Sequence, residues 1–158
     1  MYQAHKRFMQ EAIRLSMANM EAGLGGPFGA VVAKDGKIVG KGYNQVTSLN
    51  DPSAHAEIIA IRDACKNMNT YHLRGCELYT SCEPCPMCMG AIYWARLDKI
   101  YYGNSNQDAE AAGFIDKFIL EEFCVPPDKR KISMQQMMQN EAKEAFDRWI
   151  GKKDKKEY

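Results

Sequence analysis

Three thiols fall close together in "TSCEPCPMC", where Cys82, Cys85 and Cys88 are each separated from the next by two residues. Thirty residues before Cys85, "HAE" adds an imidazole at His55 and a carboxylate at Glu57. Imidazole nitrogen and thiolate sulfur are preferred ligands of Zn²⁺. Residues i and i+3 share one side of a helix, so Cys85 and Cys88 can aim two sulfurs at one ion. A helix N-terminus also favours thiolate over thiol, and thiolate is the form that binds metal. With His55 as third ligand the charges sum to zero and the fourth tetrahedral position is left to water, which is the make-up of a catalytic site. Glu57 is spaced to reach such a water without reaching the metal. There it can take up a proton and hand it on, first to a ring nitrogen and then to a departing amine. That chemistry suits hydrolytic removal of an exocyclic amino group from a nucleobase.

Other arrangements of the same residues stay open at this level. If Cys82 joins His55, Cys85 and Cys88, three cysteines and one histidine close a structural zinc site, and the protein is a zinc-stabilised binding module. The cysteine run also fits the start of an iron–sulfur ligand set, but Cys124 is far from the place where a fourth ligand is expected. Glu57 alone has a bland role available, since an acid near a helix start complements the dipole. Cys65, Cys76 and Cys124 read as small buried apolar residues.

The elements that must position these groups are visible in the apolar spacing. From Lys6 to Ala22, Phe8, Met9, Ala12, Ile13, Met17 and Met20 recur at three and four, which predicts an amphipathic helix ended by Gly23 to Pro27. "FGAVVAK", the turn at Asp35 and Gly36, and "KIVGKGY" predict a hairpin. After the polar loop "NQVTSLNDPS" a second helix is expected to begin close to His55, capped by Ser53, with Ala56, Ile59, Ala60 and Ala64 on neighbouring turns. "CELYT" predicts a short strand, and Pro84 and Pro86 bracket the start of a third helix that runs through Trp94. "DKIYYG" is the next strand. This order predicts a three-layer α/β/α sandwich around one mixed sheet whose later strands are parallel. Sites in such sheets form where strands end and helices begin, so the starts of the second and third helices can face one another. Past the loop "VPPDKRK", the run "ISMQQM" fits strand or helix, and Ala142, Phe146, Trp149 and Ile150 mark a last amphipathic helix.

Composition sets the outer bounds. A chain of 158 residues suits a single domain, 1–158, with a core that needs no disulfides. A formal charge of +1 gives no global attraction to nucleic acid or anionic membrane. Charged residues interrupt the first thirty positions, so no secretory leader is expected, and no apolar run approaches the ~20 residues of a membrane span. A cytoplasmic, reducing setting is therefore expected, where clustered cysteines read as ligands or reactive thiols.

"HAE" followed by "PCPMC" matches the H-x-E…P-C-x-x-C signature in which the Glu is acid and base and not a ligand. The chain resembles the cytidine deaminase superfamily. Within it the likeness is to the small bacterial guanine deaminases, through "GGPFGAVV", "NDPSAHAE", "TSCEPCPMC", "AIYWAR", "AEAAGFIDKFI" and the terminal "KKEY", nearly the whole chain. The resemblance implies a five-stranded mixed sheet flanked by helices, one Zn²⁺ per subunit, and conversion of guanine and water to xanthine and ammonia. It implies that Asn44 fixes the purine, that Phe28 and Trp94 wall the pocket, and that Ala56 is also a substrate contact. Asp116 is implied as a second carboxylate that recognises the guanine edge and helps relay protons, and carboxylates do suit that edge of N–H donors. Tyr158 is implied to close over the base from the partner subunit of a homodimer that exchanges its C-terminal segment, about 138–158. The rival inside the superfamily is the tRNA adenosine deaminase, which shares "HAE" and "EPCPMC". An RNA loop calls for a basic patch, and "PPDKRK" and "KKDKK" are short and diluted by acids, so no nucleic-acid partner is expected. Guanosine remains a closer competitor.

Overall fold

Asp35 and Gly36 both take positive φ, 48° and 75°. That geometry matches the right-handed twist of a tight hairpin, and glycine adopts it without a Cβ penalty. They join β1 (Gly29–Lys34) to β2 (Lys37–Tyr43), which pair antiparallel with Lys34 opposite Lys37 and a register shift between Val32 and Ala33. The structure, a computed structural model, describes residues 2–157. On its other side β1 pairs antiparallel with β3 (Glu77–Cys82), and β3 pairs parallel with β4 (Lys99–Asn104). The sheet order is β2-β1-β3-β4.

The expected five-stranded sheet is therefore corrected to four strands among the described residues. The segment with strand character, "ISMQQM", forms no ladder, and its Ile132, Met134 and Met137 are 81%, 72% and 74% exposed. A strand is stabilised by the face that it buries, and these side chains bury none within the chain. Directly after β4 the chain instead enters α5 (Asn106–Ala111). A capping box starts it, with the Ser105 hydroxyl accepting from the Asp108 amide and the Asp108 carboxylate accepting from the Ser105 amide.

Alternation along β1 and β3 separates two apolar layers. Ala30, Val32 and Leu78 face α3 (Ala56–Met68) and α4 (Pro86–Ala95), through Ala56, Ala60, Ile61, Ala64, Ile92 and Ala95. Val31, Ala33 and Tyr79 face Phe8 of α1 (Tyr2–Glu21). Helices on both faces of one mixed sheet make the three-layer arrangement expected. The contact face of α1 differs from expectation. Phe8, Ala12, Ser16 and Asn19 are the buried positions, whereas Ile13, Met17 and Met20 are 42%, 52% and 48% exposed. A Cβ on Gly29 would sit 2.3 Å from the Ala12 carbonyl oxygen, so the helix backbone rests directly on β1. Small residues fit that approach. Ser16 satisfies its hydroxyl on the Ile13 carbonyl, and Asn19 donates to the Gly26 carbonyl.

Two compact units divide the chain, Met1–Asp116 and Lys117–Tyr158. The first holds the sheet and also a single helical turn, α2 (Val46–Leu49). The second holds α6 (Lys117–Cys124), a 3-10 turn at Pro127–Lys129 and α7 (Gln139–Gly151). Its loop is tied by Arg130 Nε donating to the Val125 carbonyl and by the Lys131 amide donating to Glu122. No described helix is long and apolar enough to cross a membrane.

Candidate active site

His55 and Cys85 occupy equivalent places in the fold, each the N-cap residue of a helix, with extended backbone at φ −73° and φ −66° respectively. Neither uses its side chain as a cap. Ser53, expected in that role, donates its hydroxyl to Asp51 instead and lends its carbonyl to the His55 amide. Pro86 opens α4 because the first helical position has no use for an amide donor. Cys88 follows one turn later, so both sulfurs meet the imidazole. Nδ1 of His55 lies 3.5 Å from Cys85 Sγ and 3.6 Å from Cys88 Sγ. The ligand atoms of His55, Cys85 and Cys88 all lie within 4.8 Å of one another, and among the described residues no other group of three metal-binding types does so.

Electrostatics agree with a cation site. A hydrogen bond from Cys88, with His55 alongside, holds the Cys85 thiol down to about 4, a thiolate at neutral pH. Cys88, the donor of that bond, is pushed up by it, and burial and Glu57 add to the effect. Cys85 in turn raises His55. A thiophilic dication that binds here displaces thiol protons, because thiolate is the ligating form. The donor set fits Zn²⁺ with three protein ligands.

Glu57 is 6% exposed, and desolvation raises its carboxyl. Its Oε2 lies 3.4 Å from Cys88 Sγ and its Oε1 accepts from the Thr80 hydroxyl at 3.3 Å. The carboxylate thus stands beside the cluster. Ile58, Met87 and Ala91 supply an apolar wall around the sulfurs. Cys82 turns away, its Sγ directed at the Ser105 carbonyl at 3.7 Å, and burial pushes its thiol up to about 11.

The remaining sequence candidates take up distinct places. Asn44, 7% exposed, accepts on Oδ1 from the amides of Gly26 and Val46, which leaves Nδ2 as its remaining donor. Phe28 gives its carbonyl to the Asn44 amide and meets Phe114 edge-on with ring centroids 4.8 Å apart. Asp116 raises His55 and is itself raised, by burial and then by Cys85, so it lies within the field of the cluster. Ala56 is fully buried in the core. Trp94 is 68% exposed and sits roughly 9 Å of helix rise beyond Cys88, so it is not gathered with the cluster in this chain. Tyr158 lies outside the described residues. The sequence motifs mark neither Thr80 nor Phe114; alternation along the short strand, which puts Thr80 on the face of Leu78, is the signal available for the first.

Comparison with known proteins follows the same lines. The family model of the cytidine and deoxycytidylate deaminase zinc-binding region matches residues 2–104. The guanine deaminase of Bacillus subtilis is 49% identical over 154 residues, 98% of this chain and 99% of that protein. A crystal structure of guanine deaminase from Bacillus subtilis superposes with a TM-score of 0.94 at 49% identity, covering 98% of each chain. A tRNA-specific adenosine deaminase of Aquifex aeolicus is 41% identical over 116 residues, 73% of this chain and 75% of that protein.

Proposed function

The chain belongs to the zinc-binding cytidine and deoxycytidylate deaminase family, and from that membership we propose that it hydrolyses guanine to xanthine and ammonia. The observation that carries the reading is the placement of Glu57, buried beside His55, Cys85 and Cys88 and outside their ligand set. When bound, the zinc ion supplies a Lewis acid that makes water nucleophilic near neutral pH. Glu57 takes the proton of the attacking water. It returns that proton to a ring nitrogen next to the attacked carbon, then takes the remaining proton from the newly attached hydroxyl and passes it to the departing amine. A new C–O bond replaces the C–N bond, and ammonia leaves. Burial suits this cycle because desolvation raises the Glu57 carboxyl, which makes it a better proton acceptor than a solvated carboxylate.

Guanine is favoured over other bases by two supports. The likeness to the Bacillus subtilis guanine deaminase spans 98% of this chain, whereas the likeness to the Aquifex aeolicus enzyme stops at 73%. Asp116 offers acceptors for the ring N–H and amino group of guanine, and the Nδ2 of Asn44 offers a donor for a base acceptor. Phe28, backed by Phe114, walls the ring, with Ala56 as a further contact. The segment from about 138 exchanges between two subunits, so that Tyr158 of the partner subunit closes over the base. The exposed apolar side chains of α7, Phe146 at 72% and Ile150 at 68%, support that exchange, and a solution mass of one chain would contradict it. A cytoplasmic, reducing setting keeps the thiols available as ligands.

Incubation with guanine, guanosine, adenine, cytosine and a tRNA anticodon stem-loop, followed by ammonia, tests the substrate. Release from guanine is expected. Turnover of the stem-loop alone would replace guanine with an RNA substrate.

A further inference from the structure

Thr80 is a polar residue in an unusual place. It lies on β3, between Ala30 of β1 and Tyr102 of β4, and is 1% exposed. A buried hydroxyl needs a partner to offset its desolvation. Among the described residues, the hydrogen bond of this one goes to Oε1 of Glu57, at 3.3 Å. The other oxygen, Oε2, is the one that faces Cys88 at 3.4 Å. The two oxygens of Glu57 are thereby differentiated by the fold.

We infer that Thr80 is a positioning residue for the acid and base: its hydroxyl holds Oε1 of Glu57, so that Oε2 presents to the metal cluster and carries the transferred proton. This rests on the proposed role of Glu57. The physical basis is rigidity. Thr80 is held on both sides by strand ladders, and a β-branched side chain is stiff at χ1, so its hydroxyl is a fixed post. Glu57 has three rotatable side-chain bonds, and without that post its carboxylate can turn about the bond to its last carbon. A hydroxyl suits both stages of the cycle, because Oε1 goes on accepting from Thr80 whether or not Oε2 bears a proton. Among the described residues Thr80 makes no side-chain hydrogen bond to the three proposed ligands.

Two pairs of variants isolate the hydroxyl. Thr80 and Thr80→Val have the same shape, and so do Thr80→Ser and Thr80→Ala apart from the oxygen. Steady-state deamination of guanine by the zinc-loaded dimer should show kcat lowered about 10- to 100-fold in Thr80→Val, in line with the loss of a hydrogen bond to a charged group, with KM and zinc content unchanged. Thr80→Ser should recover most of the rate and Thr80→Ala should not, which keeps the comparison valid if the valine variant folds poorly. Crystal structures give a readout independent of turnover. Glu57 should hold one carboxylate position in the parent and in Thr80→Ser, and should spread or rotate in the variants without the hydroxyl. An unchanged kcat in Thr80→Val, or a Glu57 carboxylate that stays in place without the hydroxyl, overturns the inference. If the parent releases no ammonia from guanine, the substrate reading fails, and the crystallographic comparison still decides the role of Thr80.

Discussion

At the scale of residues, the even spacing of Cys82, Cys85 and Cys88 hides a break between two elements. Cys82 is the last residue of β3 and Cys85 is the cap of α4, so a turn through Pro84 separates their directions. Spacing could not settle whether Cys82 joined the cluster, because ligand sets of three and of four start from the same motif. The pairing of Cys85 with Cys88 was legible, since a helix repeats at that interval whatever its surroundings. Thr80 was not legible as a neighbour of Glu57: the two lie 23 positions apart, and only the stacking of α3 on the sheet joins them. Cys82→Ser is expected to keep full zinc content, measured by metal analysis, while lowering stability by about 1–2 kcal/mol because a buried hydroxyl replaces a thiol. Loss of zinc in that variant would return Cys82 to the ligand set.

At the scale of elements, the site depends on how closely α3 lies on β2. A Cβ on Gly42 would come within 2.1 Å of the Ala56 carbonyl oxygen, and one on Gly40 within 2.5 Å of that of Ala60. Neither contact can be relieved by a side-chain rotation, because both are to backbone. The first turn of α3 carries His55 and Glu57, so pushing the helix off the strand moves a ligand and the carboxylate together. Gly42→Ala is expected to lower stability by roughly 2 kcal/mol or more and to weaken zinc affinity, measured by denaturant unfolding and metal competition. Gly90→Ala is the control: a Cβ there meets nothing, and a helix interior gains up to about 1 kcal/mol from the change. Equal zinc affinity in both variants would contradict this account of α3. The hairpin and both helix starts were readable from local chemistry, namely the turn residues and the prolines. The buried face of α1 was not. Apolar spacing pointed to Ile13, Met17 and Met20, whereas close backbone approach at Gly29 selects the small residues beside them. The start of α5 had a readable signal in "SNQD", the capping-box pattern.

At the scale of the whole molecule, the three layers and the mixed sheet followed from element order, but strand number did not, because a strand is decided by partners that the sequence does not display. The layers are also tied at the surface. Glu11 on α1 accepts from Nε and Nη2 of Arg14 and from Lys41 on β2, and these bonds, that of Arg14 first, hold its carboxyl down to about 2. A folded value below the unfolded one contributes stability that is complete above about pH 5 and is lost as pH falls toward 2. Glu11→Gln should therefore be less stable than the parent by roughly 1–2 kcal/mol at neutral pH, a gap that closes in acid. A gap that persists in acid would assign the effect to packing. The division of labour between the ligands and Glu57 is tested by measuring zinc content and ammonia release from guanine side by side in the parent and in Glu57→Gln. About one zinc per chain is expected in both, with a loss of turnover of roughly 10²–10⁴-fold or more in the variant. A variant that deaminates guanine as fast as the parent, with its zinc in place, would contradict it.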